Sequence, residues 1–211
     1  MGNQKYEIEK HSVDTILSWI KTKEVVIPEI QRPFVWKAVQ VRNLIDSLYN
    51  GYPVGYLIVS RSHDLKLKDG TISKGQRILI DGQQRVTALT AAILGRTVLN
   101  KEYQERPIRI AYNPFAKEEE NAFEVQDQSH IKSKRWIDDI SIFFDDNFDD
   151  FEFITNYCEE NPDMDIKELN KKIKRVIDIR TKDIGVVELA SDLDVDTVTD
   201  IFIRINKEGA V

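Results

Sequence analysis

The sequence predicts an α+β fold. Three observations carry this. Segments with apolar residues at helical spacing are interspersed with short apolar runs bounded by turn residues. The 211 residues match one large domain, or one domain with a small appendage, and show no internal repeat or low-complexity linker. Hydrophobic residues make up 41% and charged residues 31%, so the chain has enough apolar surface to bury a core.

Val13, Ile16, Leu17 and Ile20 fall on one helical face, with Ser12 as N-cap. Val25-Val26-Ile27 is extended and stopped by Pro28. Val41, Leu44, Ile45 and Leu48 repeat the helical spacing, and Gly51 closes that helix. Tyr56-Leu57-Ile58-Val59 and Ile78-Leu79-Ile80 read as buried strands, with an Asp69-Gly70 hairpin-type turn between them. Val86–Leu94 is an Ala- and Leu-rich helix ending at Gly95. Pro107–Tyr112 alternates like a half-exposed strand, and residues 113–135 are polar and irregular apart from a strand piece at Phe123–Val125. Helices are expected over 148–160, ended by Pro162, and over 166–180. Ile184–Leu189 is a strand, and Val195, Val198, Ile201, Phe202 and Ile205 mark a last amphipathic helix.

Charge is uneven. Residues 1–137 carry a net +5, residues 138–168 a net −11, and residues 169–211 balance. The acidic stretch reads as a solvated helical face. Together with the lack of a clustered basic stripe, it argues against autonomous DNA binding. No apolar run approaches the ~20 residues of a membrane span, and no secretory signal is visible. The single cysteine, Cys158, excludes a disulfide framework, suits a reducing cytoplasm and reads as a buried filler. His11, His63 and His130 lack metal-ligand spacing, so no protein-held metal site is expected. Gly70–Gly75 mimics a phosphate-binding loop, but Gln76-Arg77 replaces the Lys-Ser/Thr pair and a strand follows where a helix is required.

Three segments can carry chemistry. In Ile78–Thr87 a buried strand runs through Asp81-Gly82 into a helix bearing Gln83, Gln84, Arg85 and Thr87. Unpaired backbone N–H groups and the positive helix end converge there, which favours phosphate. Gly82 permits close backbone approach, and Arg85 adds a bidentate phosphate contact. A purely structural reading also fits: Asp81 as N-cap, with Gln84 completing a capping box. It leaves Arg85 unexplained, since a cation in the first helical turn opposes the dipole. The second segment is Ile27–Trp36, where two prolines hold Gln31 and Arg32 extended beside Phe34 and Trp36, as a base or phosphate contact or as a plain linker. The third is Phe202–Gly209, where Arg204 and Asn206 suit either a ligand contact or a helix exit.

In this order, and with Leu48–Gly55 between the first two, these segments resemble the N-terminal domain of GmrSD-type (type IV, modification-dependent) restriction enzymes. The resemblance covers about residues 12–209. It implies a ParB/sulfiredoxin-like small mixed sheet with surrounding helices. Residues 1–137 would form the nucleotide-binding core, and 138–211 a mostly helical extension closing the same domain. It further implies a nucleoside triphosphate, with Mg²⁺, held by Gln31, Arg32, Gly82, Gln83, Gln84, Arg85, Thr87, Arg204 and Asn206. Asp81, Gln84 and Arg85 would carry any weak hydrolysis. Such a domain licenses a DNA nuclease in bacterial anti-phage defence. This chain has no His-Asn-His constellation and stops just after the third motif. DNA contact is therefore expected only through a missing or separately encoded nuclease region, with homo-oligomerisation left open. The alternatives are a non-catalytic protein-interaction module and a direct ParB-like DNA-binding or nuclease domain.

Overall fold

The computed structural model describes residues 4–27, 33–61, 76–117 and 120–208. Along the chain run β1 (Tyr6–Ser12), α1 (Val13–Lys21), β2 (Val25–Val26), α2 (Ala38–Tyr49), β3 (Tyr56–Arg61) and β4 (Arg77–Asp81). Then come α3 (Gln83–Leu94), β5 (Val98–Leu99), β6 (Glu105–Arg106), β7 (Ile110–Tyr112), β8 (Phe123–Val125) and α4 (Gln128–Lys132). The last are α5 (Asp150–Glu160), α6 (Ile166–Ile177), β9 (Asp183–Leu189) and α7 (Val195–Glu208), with 3-10 turns at Ile140–Phe144 and Asp178–Thr181. The fold is α+β, as the sequence predicts. The expected Asp69-Gly70 turn lies outside the described residues.

Two compact units share the chain. The first takes the described parts of Met1–Arg32, Gly55–Val86 and Asp183–Val211. Its five-stranded mixed sheet has the order β1-β9-β3-β4-β2. β9 runs parallel to β3, and β4 runs antiparallel to β3 and parallel to β2. Leu57, Val59, Leu79, Ile184 and Val186 are buried, as are Val13, Ile16 and Leu17 of α1. Ser12 caps α1, its Oγ accepting the Thr15 N–H at 3.1 Å. β1 escaped the sequence reading because Glu7, Ile8, Glu9 and Lys10 are all exposed on an edge strand. Only its pairing with β9 makes it a strand.

The second unit comprises Pro33–Val54 and Thr87–Lys182. α2 ends in a Schellman motif: Gly51 has φ +73°, Tyr52 N–H donates to Ser47 O at 2.8 Å, and Gly51 N–H to Leu48 O at 3.1 Å. Tyr49 meets Phe123 edge-on at 5.0 Å, fastening α2 to the β7–β8 hairpin. That hairpin corrects the half-exposed strand expected over Pro107–Tyr112. It begins only at Ile110, and Ile110, Ala111 and Tyr112 are all buried. α4 replaces the turn or loop expected after Val125. Asp127 makes it, accepting the N–H groups of Ser129 and His130.

The acidic stretch is not simply a solvated helical face. Asp139 is only 5% exposed, takes an ion pair from Arg109 and accepts the Ser141 N–H at 3.0 Å. Asp149 caps α5 and Asp165 caps α6. Asp163 pairs with Arg135 at 2.7 Å. Asp139, Asp149 and Asp165 sit where helices and turns start, which satisfies otherwise unpaired N–H groups.

Candidate functional site

The candidate site lies in the first unit, where β4 passes into α3. The register between β3 and β4 shifts between Ile58 and Val59, so that Val59 faces Leu79 but Ile58 faces Asp81. The extra residue bends the end of β4, a device that re-aims side chains. Gly82 follows with φ +96°. A Cβ there would stand 2.3 Å from Leu57 Cδ2. Two constraints therefore require glycine: a backbone conformation that L-residues rarely adopt, and close packing against β3.

Gly82, not Asp81, holds the cap position. The Val86 N–H donates to Gly82 O at 3.0 Å, which closes the first turn of α3. The helix thus begins at Gln83, directly after the glycine, as the strand–glycine–helix pattern of Ile78–Thr87 predicts. Gln83, Gln84 and Arg85 form the first turn, whose N–H groups have no carbonyl four residues back in the helix. Gln83 and Gln84 are half-buried. Thr87 lies one turn on, in the part of α3 assigned to the second unit.

Arg85 is held from two sides. Its Nη1 donates to the Tyr56 carbonyl, and its Nη2 to Asp81 Oδ2 at 3.1 Å. Its side chain is 18% exposed and that of Asp81 29%. The guanidinium bends back past the helix start, over the entrance to β3. There Gly55 (φ +83°) leaves it room, since a Cβ would lie 3.0 Å from Nη1. This resolves the oddity of a cation in the first helical turn. The Asp81 carboxylate and a strand carbonyl offset the unfavourable dipole. The Tyr56 carbonyl and Gly55 were absent from the sequence reading of the site. The available signal was Gly55 itself, placed just before a buried strand.

Arg204 does not join this cluster. Arg204 is exposed on α7 and, among the described residues, makes no hydrogen bond or ion pair with the Asp81–Arg85 turn. Asn206 lies on the same helix. Gln31 and Arg32 lie outside the described residues. No group of three or more His, Cys, Asp or Glu side chains able to hold a metal occurs among the described residues. No described helix is long and apolar enough to cross a membrane.

Comparison with known proteins gives one family. Its model, the N-terminal domain of the GmrSD restriction endonuclease, matches residues 13–211. A search of curated proteins returned no match. The family description supports a role in restriction, a defence against phage DNA. With a family model spanning nearly the whole chain, and with an α+β fold that carries the Asp81–Arg85 turn, the protein belongs to the GmrSD restriction endonuclease N-terminal domain family.

Proposed function

We propose that the Asp81–Arg85 turn binds the phosphates of a nucleoside triphosphate, and that this chain is a nucleotide-responsive regulatory domain that licenses a DNA nuclease. One observation carries the reading. A glycine-broken strand-to-helix turn brings the N–H groups of a helix start and a pre-positioned guanidinium to the same end of α3. Phosphate is the ligand class that such a turn favours. Arg85 has five N–H donors in a rigid fork, and two nitrogens are engaged here, so donors remain for a phosphate oxygen. Asp81 acts as a positioning residue that fixes the fork. Gln83 and Gln84 orient the nucleotide or an attacking water, Gly82 admits the phosphate close to the backbone, and Thr87 lies one turn further along. Gln31, Arg32, Arg204 and Asn206 are the further binding residues of the proposal. Any hydrolysis would rest on Arg85 or Arg32 stabilising charge on the transferring phosphoryl group. Mg²⁺ would arrive with the triphosphate and take most of its ligands from phosphate and water.

A second reading, a non-catalytic interaction module, rests on its own observation. Gly82 and Arg85 both have complete structural duties, against Leu57 and with Asp81 and Tyr56. Thermal unfolding with Mg²⁺ and each of ATP, GTP, CTP and UTP separates the two. At a hundred times the dissociation constant a nucleotide adds about 2.7 kcal/mol, or roughly 5–10 °C in a chain of this length. The expected result is such a rise in wild type and none in Arg85→Ala, each variant being referred to its own nucleotide-free melting temperature. A variant that melts lower, in a protein that never responds to nucleotide, supports the interaction module.

A further inference from the structure

The sequence shows balanced charge over residues 169–211 and no basic stripe. Helical winding produces one. α6 carries Lys167, Lys171, Lys172, Lys174 and Arg175 against the single carboxylate of Glu168. Its apolar side, Leu169, Ile173 and Val176, is buried in the second unit. Lys167, Lys171, Lys174 and Arg175 are exposed. They fall at i, i+4, i+7 and i+8, which is one face of a helix.

Among the described residues these four cations have no acidic partner. Among the described residues, Glu168 pairs with Lys172 at 3.0 Å, and no carboxylate is within 4.0 Å of the other four charges. Arg175 lies on the Tyr49 ring, 4.0 Å from its centre, and donates to Asn50 Oδ1 at 3.3 Å. Both partners are neutral, so its charge is kept. Two nearby acids are engaged by hydrogen bonds, and exposed Asp178 is the carboxylate at the C-terminal end of α6. Asp165 caps α6 through the Lys167 and Glu168 N–H groups, and Asp46 accepts from Asn50 at 3.2 Å.

Two concavities follow this face. A groove of about 500 Å³ is lined by Lys167, Asn170, Lys171, Lys174, Arg175 and Asp178. It adjoins a cleft of about 710 Å³ that shares Lys171 and Arg175, adds Tyr49, Asn50, Asn113 and Phe115, and balances the carboxylates of Asp46, Glu120 and Glu168 with Lys117 and Lys172. We propose that α6 and these concavities form a nucleic-acid-binding surface of this chain. Lys167, Lys171, Lys174 and Arg175 take successive backbone phosphates, and the amide- and aromatic-lined cleft receives a nucleotide unit. From Lys167 to Lys174 the helix rises about 10.5 Å. At one charge per ~3.4 Å of strand, that length spans about three phosphates. This surface is separate from the Asp81–Arg85 turn, and its test does not depend on nucleotide binding there.

The experiment is fluorescence anisotropy with labelled 20-nucleotide single-stranded and duplex DNA between 50 and 200 mM NaCl. Three proteins are compared: wild type, Lys167→Glu/Lys171→Glu/Lys174→Glu, and the equal-charge control Lys5→Glu/Lys10→Glu/Lys21→Glu. All the substituted lysines are exposed, and circular dichroism verifies each fold. For wild type the logarithm of affinity is expected to fall against the logarithm of salt with a slope of about −3. The α6 variant should bind at least tenfold more weakly and lose most of that slope, while the control stays within about threefold of wild type. Equal losses in both variants, or no salt-dependent binding by wild type, would overturn the proposal. Binding of a polyglutamate peptide in place of DNA would also overturn it, assigning the surface to an acidic protein partner.

Discussion

Each unit of the molecule contains an aspartate–arginine pair with one enclosed partner, and these two pairs are built in opposite senses. In Asp81–Arg85 the partners are one helical turn apart, and the arginine is the more enclosed, at 18% exposure against 29%. In Asp139–Arg109 they are thirty residues apart, and the aspartate is enclosed, at 7% against 45%. The first arrangement aims a cation: an open carboxylate and a strand carbonyl fix a guanidinium at a helix start. The second shelters an anion, which Arg109 neutralises while Asp139 Oδ1 starts the 3-10 turn at Ser141. The same two residue types therefore position a guanidinium at a helix start in one unit and hold a turn together in the other. Which partner is buried decides the role.

The largest effect should come from removing the sheltered anion. Asp139→Ala deletes both the ion pair and the cap. Removing one member of a buried pair costs several kcal/mol, discounted here because the half-exposed Arg109 returns to water. Losing an aspartate cap adds about 1 kcal/mol. The expected loss is about 2–4 kcal/mol, which lowers the melting temperature by roughly 5–15 °C. A fall of less than 2 °C would show that Asp139 is dispensable to the second unit and would break the comparison.

Asp81→Asn should act differently. Its pair is partly solvated and spans one helical turn, so the stability cost is about 0.5–1 kcal/mol, a few degrees at most. The nucleotide-dependent rise in melting temperature should shrink much more than this, because the guanidinium loses its charged tether. Arg85→Lys sharpens the point. It keeps the charge but cannot span two acceptors with a planar fork, so it should fold like wild type and respond weakly to nucleotide. Asp81→Asn costing as much as Asp139→Ala would make both pairs structural.

The sequence singled out the residues of the first pair, though not the bond between them, and concealed the second. Asp81 and Arg85 stand four apart in a strand–glycine–helix pattern, where local rules apply. Their partner at Tyr56 is a main-chain carbonyl, so only the neighbouring Gly55 marks the contact in the sequence. Arg109 and Asp139 are joined only by the fold, and net charge made residues 138–168 look solvated. Averaging over charge also concealed α6, where winding separates a basic face from an apolar one. Elements whose cues are local were legible: the Ser12 cap, the Gly51 exit, and the buried runs of β3, β4 and β9. β1 was not, since its exposed alternating residues acquire meaning only beside β9. Nor was α4, a single capped turn whose cue is Asp127 rather than any apolar period.

The smallest effect concerns acids outside both pairs. Hydrogen bonds from the Ser129 hydroxyl and from the His130 and Ser129 N–H groups hold Asp127 below the usual carboxylate pKa of 3.8. The Asn147 N–H and its side-chain amide hold Asp145 below it too. A carboxylate whose pKa is depressed by folding stabilises the native state fully above its unfolded value, and that contribution is lost as pH falls through the lower folded value. Melting temperature should therefore decline below about pH 3.8. Asp127→Asn and Asp145→Asn should each make the decline shallower while leaving the melting temperature at pH 7 nearly unchanged, since asparagine also caps turns. Both carboxylates are exposed, so each change is a small one on the acid limb, read from melts between pH 2 and 5. An unaltered acid limb in both variants would show that these two capping carboxylates contribute nothing to acid stability.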